Sequence, residues 1–203
     1  PLLKLKNLTM LDHTINFIEH LGLKKIKINT FYLEKQIVDF VSNHPSKKKI
    51  EVISDGKKIL GTGGGISNLI KSSDEKDFLV FNPDTLWNLN YLNIINKMCE
   101  MYFKFEMENC LLLARKEKSF DPRLKGDFGM NGNTLYKKNK NFIYTGCQII
   151  SKKLFDGYTK KFFPISKVWN KKLNQNDLYG ELSDNDFIHL TDYEIYNKLL
   201  KND

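Results

Sequence analysis

The sequence predicts an α/β fold of three layers, α/β/α, with helices on both faces of a mostly parallel, mixed sheet. Three observations predict it. Segments of helical and strand character alternate along the first half of the chain, as they do in sheets covered by helices. Phe78-Leu79-Val80-Phe81 and Leu111-Leu112-Leu113-Ala114 are apolar at consecutive positions, as expected of strands covered on both faces. Gly63-Gly64-Gly65 stands where a strand hands over to a helix, the edge at which open α/β sheets bind ligands.

Thr9 to Leu21 reads as the first helix. Thr9 can cap it with Asp12, Leu11, Ile15, Ile18 and Leu21 keep helical spacing, and Gly22 ends it. Ile26-Lys27-Ile28 alternates as a strand does. Leu33 to Val41 reads as a helix stopping before Asn43-His44-Pro45, and Ile50 to Ile53 as a further strand. A short helix is expected from Ile66, a strand at 78–81, a helix from Tyr91 to Phe103 and a strand at 111–114. The pattern then loosens. Asp127 to Leu135, with Asn131-Gly132-Asn133, reads as a hairpin, and Phe142 to Ile150 as a strand interrupted by Gly146. Ile165 to Leu173 and Thr191 to Leu200 close the chain as helices. The first element reads as a helix, although a sheet of this kind normally opens on a strand and a glycine-rich loop.

Composition narrows the classes. A chain of 203 residues suits one domain, which at this size buries roughly 70% of its unfolded surface. No apolar run approaches the roughly 20 residues of a membrane span, and Pro1 to Lys6 lacks the long apolar segment of a signal peptide. Neither a membrane nor a secretory route is expected. Cys99, Cys110 and Cys147 form no C-x-x-C pair and read as buried thiols of a reducing cytoplasm. The net charge of +8 rests on lysine, since Arg115 and Arg123 are the only arginines. Nucleic-acid readers lean on arginine forks, so nucleic acid is not expected as a partner and the lysines read as a solvated surface.

The candidate chemistry sits at strand ends. Three adjacent glycines exceed what a tight turn requires, and backbone N–H groups at such a junction can converge on an anion or a base edge. The run is no Walker loop, lacking Gly-Lys-Ser/Thr, and Ile66 stands where a dinucleotide fingerprint needs its third glycine. Asp84 directly follows the apolar strand and has two readings: a carboxylate that can hold Mg2+ against phosphate oxygens, or a helix N-cap or turn aspartate. Asn-Pro-Asp is also good turn chemistry; the glycine run upstream favours the metal role. Asp127, in Gly126-Asp127-Phe128-Gly129, has two readings: a hydrogen-bond partner for sugar hydroxyls, or a turn. Gly146 also has two, close approach by a ligand or a bulge. Asp184-Asn185-Asp186 has the D-x-D form of metal-dependent glycosyltransferases but lies in a polar stretch that favours an exposed acidic turn. His13, His20, His44 and His189 show no metal-ligand spacing.

These segments resemble the sugar-phosphate nucleotidyltransferases, in particular the bacterial mannose-1-phosphate guanylyltransferases and N-acetylmuramate-1-phosphate uridylyltransferases. Thr62-Gly63-Gly64-Gly65-Ile66 is similar to the family's Thr-Gly-Gly-Gly segment against the nucleobase, and Asn82-Pro83-Asp84 to its Asn-Gly-Asp, whose aspartate holds Mg2+. Gly126-Asp127-Phe128 and Tyr144-Thr145-Gly146 resemble segments around the sugar phosphate. Phe163-Pro164-Ile165-Ser166 with Trp169, and Leu178-Tyr179-Gly180, also follow the pattern. The resemblance spans nearly the whole chain in order.

It implies the nucleotide-diphospho-sugar transferase (Rossmann-like) fold, with Mg2+ at Asp84 as cofactor and a nucleoside triphosphate and a sugar 1-phosphate as substrates. It sets Thr62, Gly63, Gly64 and Gly65 against the nucleotide and Asp127 and Gly146 against the sugar phosphate. The implied reaction joins a nucleoside monophosphate to the sugar phosphate and releases pyrophosphate, by positioning and charge neutralisation more than by acid–base chemistry. The family's late Asp-Val-Gly-Thr-Pro segment reads here as His189-Leu190-Thr191-Asp192, so His189 takes the position of a second metal carboxylate. Pro1-Leu2-Leu3 looks like the end of the family's Pro-Lys-Pro-Leu segment. Residues 1–203 are therefore expected as a single domain whose opening strand, Gly-x-Gly-x-Arg loop and lysine would precede Pro1. Two rival readings are a non-catalytic nucleotide or nucleotide-sugar binder and a glycosyltransferase using Asp184 and Asp186.

Overall fold

The computed structural model describes residues 1–159 and 161–201. The chain opens on two short antiparallel strands, β1 (Lys4–Leu5) and β2 (Leu8–Thr9), turned by Lys6 and Asn7 in left-handed backbone. The sequence predicts a helix first; strands of two residues show no alternation from which to read them. Helix α1 (Met10–Glu19) then begins as expected. Thr9 Oγ1 accepts the Asp12 amide, and the Asp12 carboxylate accepts the Thr9 amide.

Strand β3 (Ile26–Thr30), helix α2 (Glu34–Asn43) and strand β4 (Ile50–Ser54) form a parallel crossover. Helix α3 (Gly61–Lys71), strand β5 (Asp77–Phe81), helix α4 (Tyr91–Lys104) and strand β6 (Asn109–Arg115) follow. The predicted hairpin is β7 (Gly129–Asn131) and β8 (Thr134–Tyr136), and β9 (Phe142–Ser151) is a single long strand. Helix α5 (Ser166–Asn174), strand β10 (Gly180–Ser183) and helix α6 (Tyr193–Lys201) complete the chain. β10 escapes the sequence pattern because it is short and carries Glu181 inward, where Lys97 and Asn133 bind the carboxylate at 2.6 and 2.9 Å.

The main sheet has the order β10-β6-β9-β5. β10 and β6 are parallel, but β9 runs against both of its neighbours. It follows a hairpin and not a crossover helix, so no connection returns it to the parallel direction. The sheet is mixed for that reason. Among the described residues β3 and β5 each pair on one side only. All of β5 is consequently half-exposed, although the sequence predicts a strand covered on both faces. Its faces are covered: Leu79 and Phe81 pack with Phe17, Trp87, Tyr91 and Ile95, while Phe78 and Val80 pack with Ile70, Phe163 and Val168. It is the strand's edge that stays open. The layers are those expected, with α1 and α4 on one face and α3 and α5 on the other. No helix of the described residues is long and apolar enough to cross a membrane.

Helix α3 starts at Gly61, inside the glycine run and not at Ile66 as the sequence suggests. Glycine is a poor helix former, so packing must require it there. A Cβ on Gly63 would stand 2.5 Å from the Phe163 ring, and one on Gly64 would stand 2.2 Å from Lys161 O. Helix propensity alone favours Gly64→Ala by about 1 kcal/mol. The backbone clash predicts the opposite sign, a net loss of about 3 kcal/mol. Urea unfolding checks it, and a variant as stable as the parent would contradict this packing.

Candidate active site

The candidate site is assembled where β5 ends. Asn82, Pro83 and Asp84 leave the strand, and the main chain beyond is held from both sides. Asn82 N donates to Gly146 O at 2.8 Å, Leu190 N to Asp84 O at 2.8 Å and Leu86 N to Ile188 O at 2.9 Å. Asp84 is thereby fixed between β9 and the segment before α6, with its side chain half exposed. His189 lies beside it: Nδ1 is 3.6 Å from Asp84 Oδ1 and 3.3 Å from Thr85 Oγ1, and the ring stacks on Phe187.

At Gly146 the structure shows the bulge, and the close neighbour there is protein. Its φ is +93°, and the β6–β9 register shifts between Leu111 and Leu113. A Cβ there would meet Asn82 Cβ at 2.8 Å. Asp127 is tied to the same strand, since its Oδ2 accepts the Tyr144 amide at 2.9 Å. Burial raises its carboxyl above the usual range, opposed by that amide and by Lys140. Tyr144 Oη is buried, and burial pushes its ionisation far up, with Cys147 and Asp84 adding to the shift and Gln148 opposing it. Its ring packs edge-on against Trp169 at 4.8 Å.

At the glycine run one expectation needs correction. The amides of Gly63 and Gly64 do not stand free for an anion; both donate to Phe163 O, at 3.0 and 3.1 Å. Thr62 Oγ1 accepts the Ile165 amide at 2.9 Å. The run is built into the 161–165 chain. On its other side lies Asp55, which the sequence reading missed. Asn29 Nδ2 binds its Oδ2 at 2.8 Å and Asn68 Nδ2 binds its Oδ1 at 3.0 Å. A Cβ on Gly65 would touch both Asn29 and this carboxylate. The available signal was an aspartate directly after an alternating strand, the feature that singled out Asp84.

No established family profile matches the chain. It is 24% identical to the D-glycero-alpha-D-manno-heptose 1-phosphate guanylyltransferase of Aneurinibacillus thermoaerophilus, over 99% of this chain and 87% of that protein. HddC of Yersinia pseudotuberculosis, crystallised with GMP-PN, superposes with a TM-score of 0.78 at 21% identity, covering 100% of this chain and 88% of that one. Apo UDP-glucose pyrophosphorylase reaches 0.77 at 11% identity over 99% and 88%. The two structures establish the nucleotide-diphospho-sugar transferase fold.

The other acidic and imidazole residues singled out in the sequence are engaged elsewhere. Asp184 and Asp186 are 83% and 80% exposed and face Arg115 and Lys118, as in an exposed acidic turn. His13 and His20 bind main-chain carbonyls, and His44 accepts the Ser46 amide. Cys110 and Cys147 are buried and Cys99 partly so, with burial raising all three thiols. Among the described residues no three His, Cys, Asp or Glu side chains group as a metal cage.

The segment carrying His189 is anchored through Arg123. Its guanidinium binds both oxygens of Asp121 at 2.8 and 2.9 Å, and reaches Asp192 at 2.9 Å and Glu194 at 3.1 Å. Asp121 is 1% exposed, and Arg123 holds its carboxyl far below the usual range. A depressed folded value contributes stability above the unfolded value, about pH 4, and that contribution is lost as pH falls toward the folded one. Asp121→Asn should therefore lower Tm by about 5 °C at neutral pH. The gap to the parent should narrow steadily below about pH 4. Thermal scans across pH test both the size and the direction.

Proposed function

We propose that this chain is a sugar-phosphate nucleotidyltransferase, and among these a guanylyltransferase: it transfers GMP from GTP to the phosphate of a manno-heptose 1-phosphate and releases pyrophosphate. An oxygen of the sugar phosphate bonds to the α-phosphorus of GTP, and the bond from that phosphorus to the β-phosphate bridge breaks. No side-chain nucleophile is needed, and the site offers none. The observation that carries the reading is Asp84, a half-exposed carboxylate whose main chain is clamped at the end of β5.

Asp84 fits Mg2+ in one respect that geometry can test. Magnesium is usually held through one or two carboxylates, with phosphate oxygens and waters completing its shell. A single fixed and accessible carboxylate meets that need without a cage of protein ligands. When bound, the ion offsets charge on the phosphates. Around it, Thr62 and the buried Gly63, Gly64 and Gly65 form the wall behind the base, and Asp127 and Gly146 flank the sugar phosphate.

Asp55 supports guanine. Its two oxygens are acceptors only, and each keeps a lone pair beyond those used by Asn29 and Asn68. Guanine presents N1–H and N2–H2 as adjacent donors, whereas the pairing edges of adenine and cytosine set a donor beside an acceptor. The guanylyltransferase named above and the GMP-PN complex of HddC point the same way.

Asp84→Asn should lower Mg2+-dependent pyrophosphate release by about a thousandfold with Tm unchanged. Undiminished turnover would remove Asp84 from the mechanism. Asp55→Asn should lower kcat/KM for GTP by about a hundredfold and leave UTP and CTP much less affected. An equal fall for every nucleotide would dismiss Asp55 as the reader of the base.

A further inference from the structure

We infer that His189 is a positioning residue for the Asp84 carboxylate and not a ligand of the metal ion, an inference that rests on the Asp84 reading above. The hydrogen positions around the ring follow from atoms that can play only one part. Thr85 is fully buried, and its hydroxyl lies 2.7 Å from Thr145 O, a carbonyl that can only accept. The single hydroxyl hydrogen therefore points at Thr145, and Thr85 Oγ1 turns lone pairs toward His189 Nδ1 at 3.3 Å. The second neighbour of Nδ1 is Asp84 Oδ1 at 3.6 Å, also acceptor-only when ionised. Among the described residues two acceptors and no donor are recorded beside this nitrogen, so Nδ1 carries the hydrogen.

A protonated nitrogen has no lone pair for a metal. Nε2 keeps one in the neutral ring, but the nitrogen for which the structure shows Asp84 Oδ1 as a neighbour is the one that carries the hydrogen. A ring turned over would keep its stack on Phe187 but set Cδ2–H against Thr85 Oγ1, losing the hydrogen bond that Nδ1 makes there. The site thus holds one carboxylate, with a hydrogen-bond donor where the family resemblance sets a second carboxylate. His189 sets its N–H 3.6 Å from Asp84 Oδ1, close enough to orient the carboxylate electrostatically, as groups behind a metal ligand do.

Two readouts test this. In nitrogen-15 histidine NMR of the metal-free protein, the signal lost in His189→Asn should show the Nδ1–H tautomer once the ring is neutral; an Nε2–H tautomer would overturn the inference. Pulsed EPR of bound Mn2+ should show no directly coordinated imidazole nitrogen, and a coupling that vanishes in His189→Asn would make the residue a ligand. His189→Asn, which keeps an N–H donor, should retain Mn2+ affinity, while a folded His189→Leu should lose about tenfold. A His189→Leu that binds Mn2+ as the parent does would refute the positioning role. Asp84→Asn serves as the separate control: if it leaves Mn2+ affinity unchanged, the Asp84 reading fails whatever His189 shows.

Discussion

The kink of β9 at Gly146 is the constraint on which the site depends. β9 pairs with β5 along one side and with β6 along the other, and the bulge falls between those pairings. It frees Thr145 O to receive the Thr85 hydroxyl and Gly146 O to receive the Asn82 amide. Those two bonds hold the chain on either side of Asp84. Only glycine suits the place, because φ is positive and a side chain would strike Asn82. The carboxylate is thus oriented by the centre of the sheet and not by a mobile loop.

The glycine run works in a similar way, at one remove from any ligand. Its missing side chains are replaced by Phe163, Lys161 and Asn29, and its first amides are taken up by Phe163 O. A sequence rich in glycine reads identically whether a ligand or a neighbouring chain comes close, because in both cases the requirement is an absent Cβ. The polar group exposed beside the run is Asp55, oriented by two carboxamides from β3 and α3.

Charge is distributed with similar economy. Of the two arginines, Arg123 is committed to Asp121, Asp192 and Glu194, and Arg115 stands by Asp184 on the surface. Arg123 ties the loop after β6 to the start of α6, and so steadies the segment that brings His189 to Asp84. The many lysines that give the chain its +8 charge remain largely on the surface.

Local patterns were legible in the sequence because their causes are local. The Thr9–Asp12 capping box, the helical spacing of α1 and α4, the apolar runs of β5 and β6, and Asp84 at a strand end each involve residues close along the chain. Three matters were decided only by the tertiary structure. The direction of β9 depended on the connection before it, the burial of β5 on which of its edges is paired, and the protonated nitrogen of His189 on Thr85 and Thr145, far away in sequence. Hydrogen-bond direction is a property of neighbours in space, and no spacing of residues along the chain encodes it.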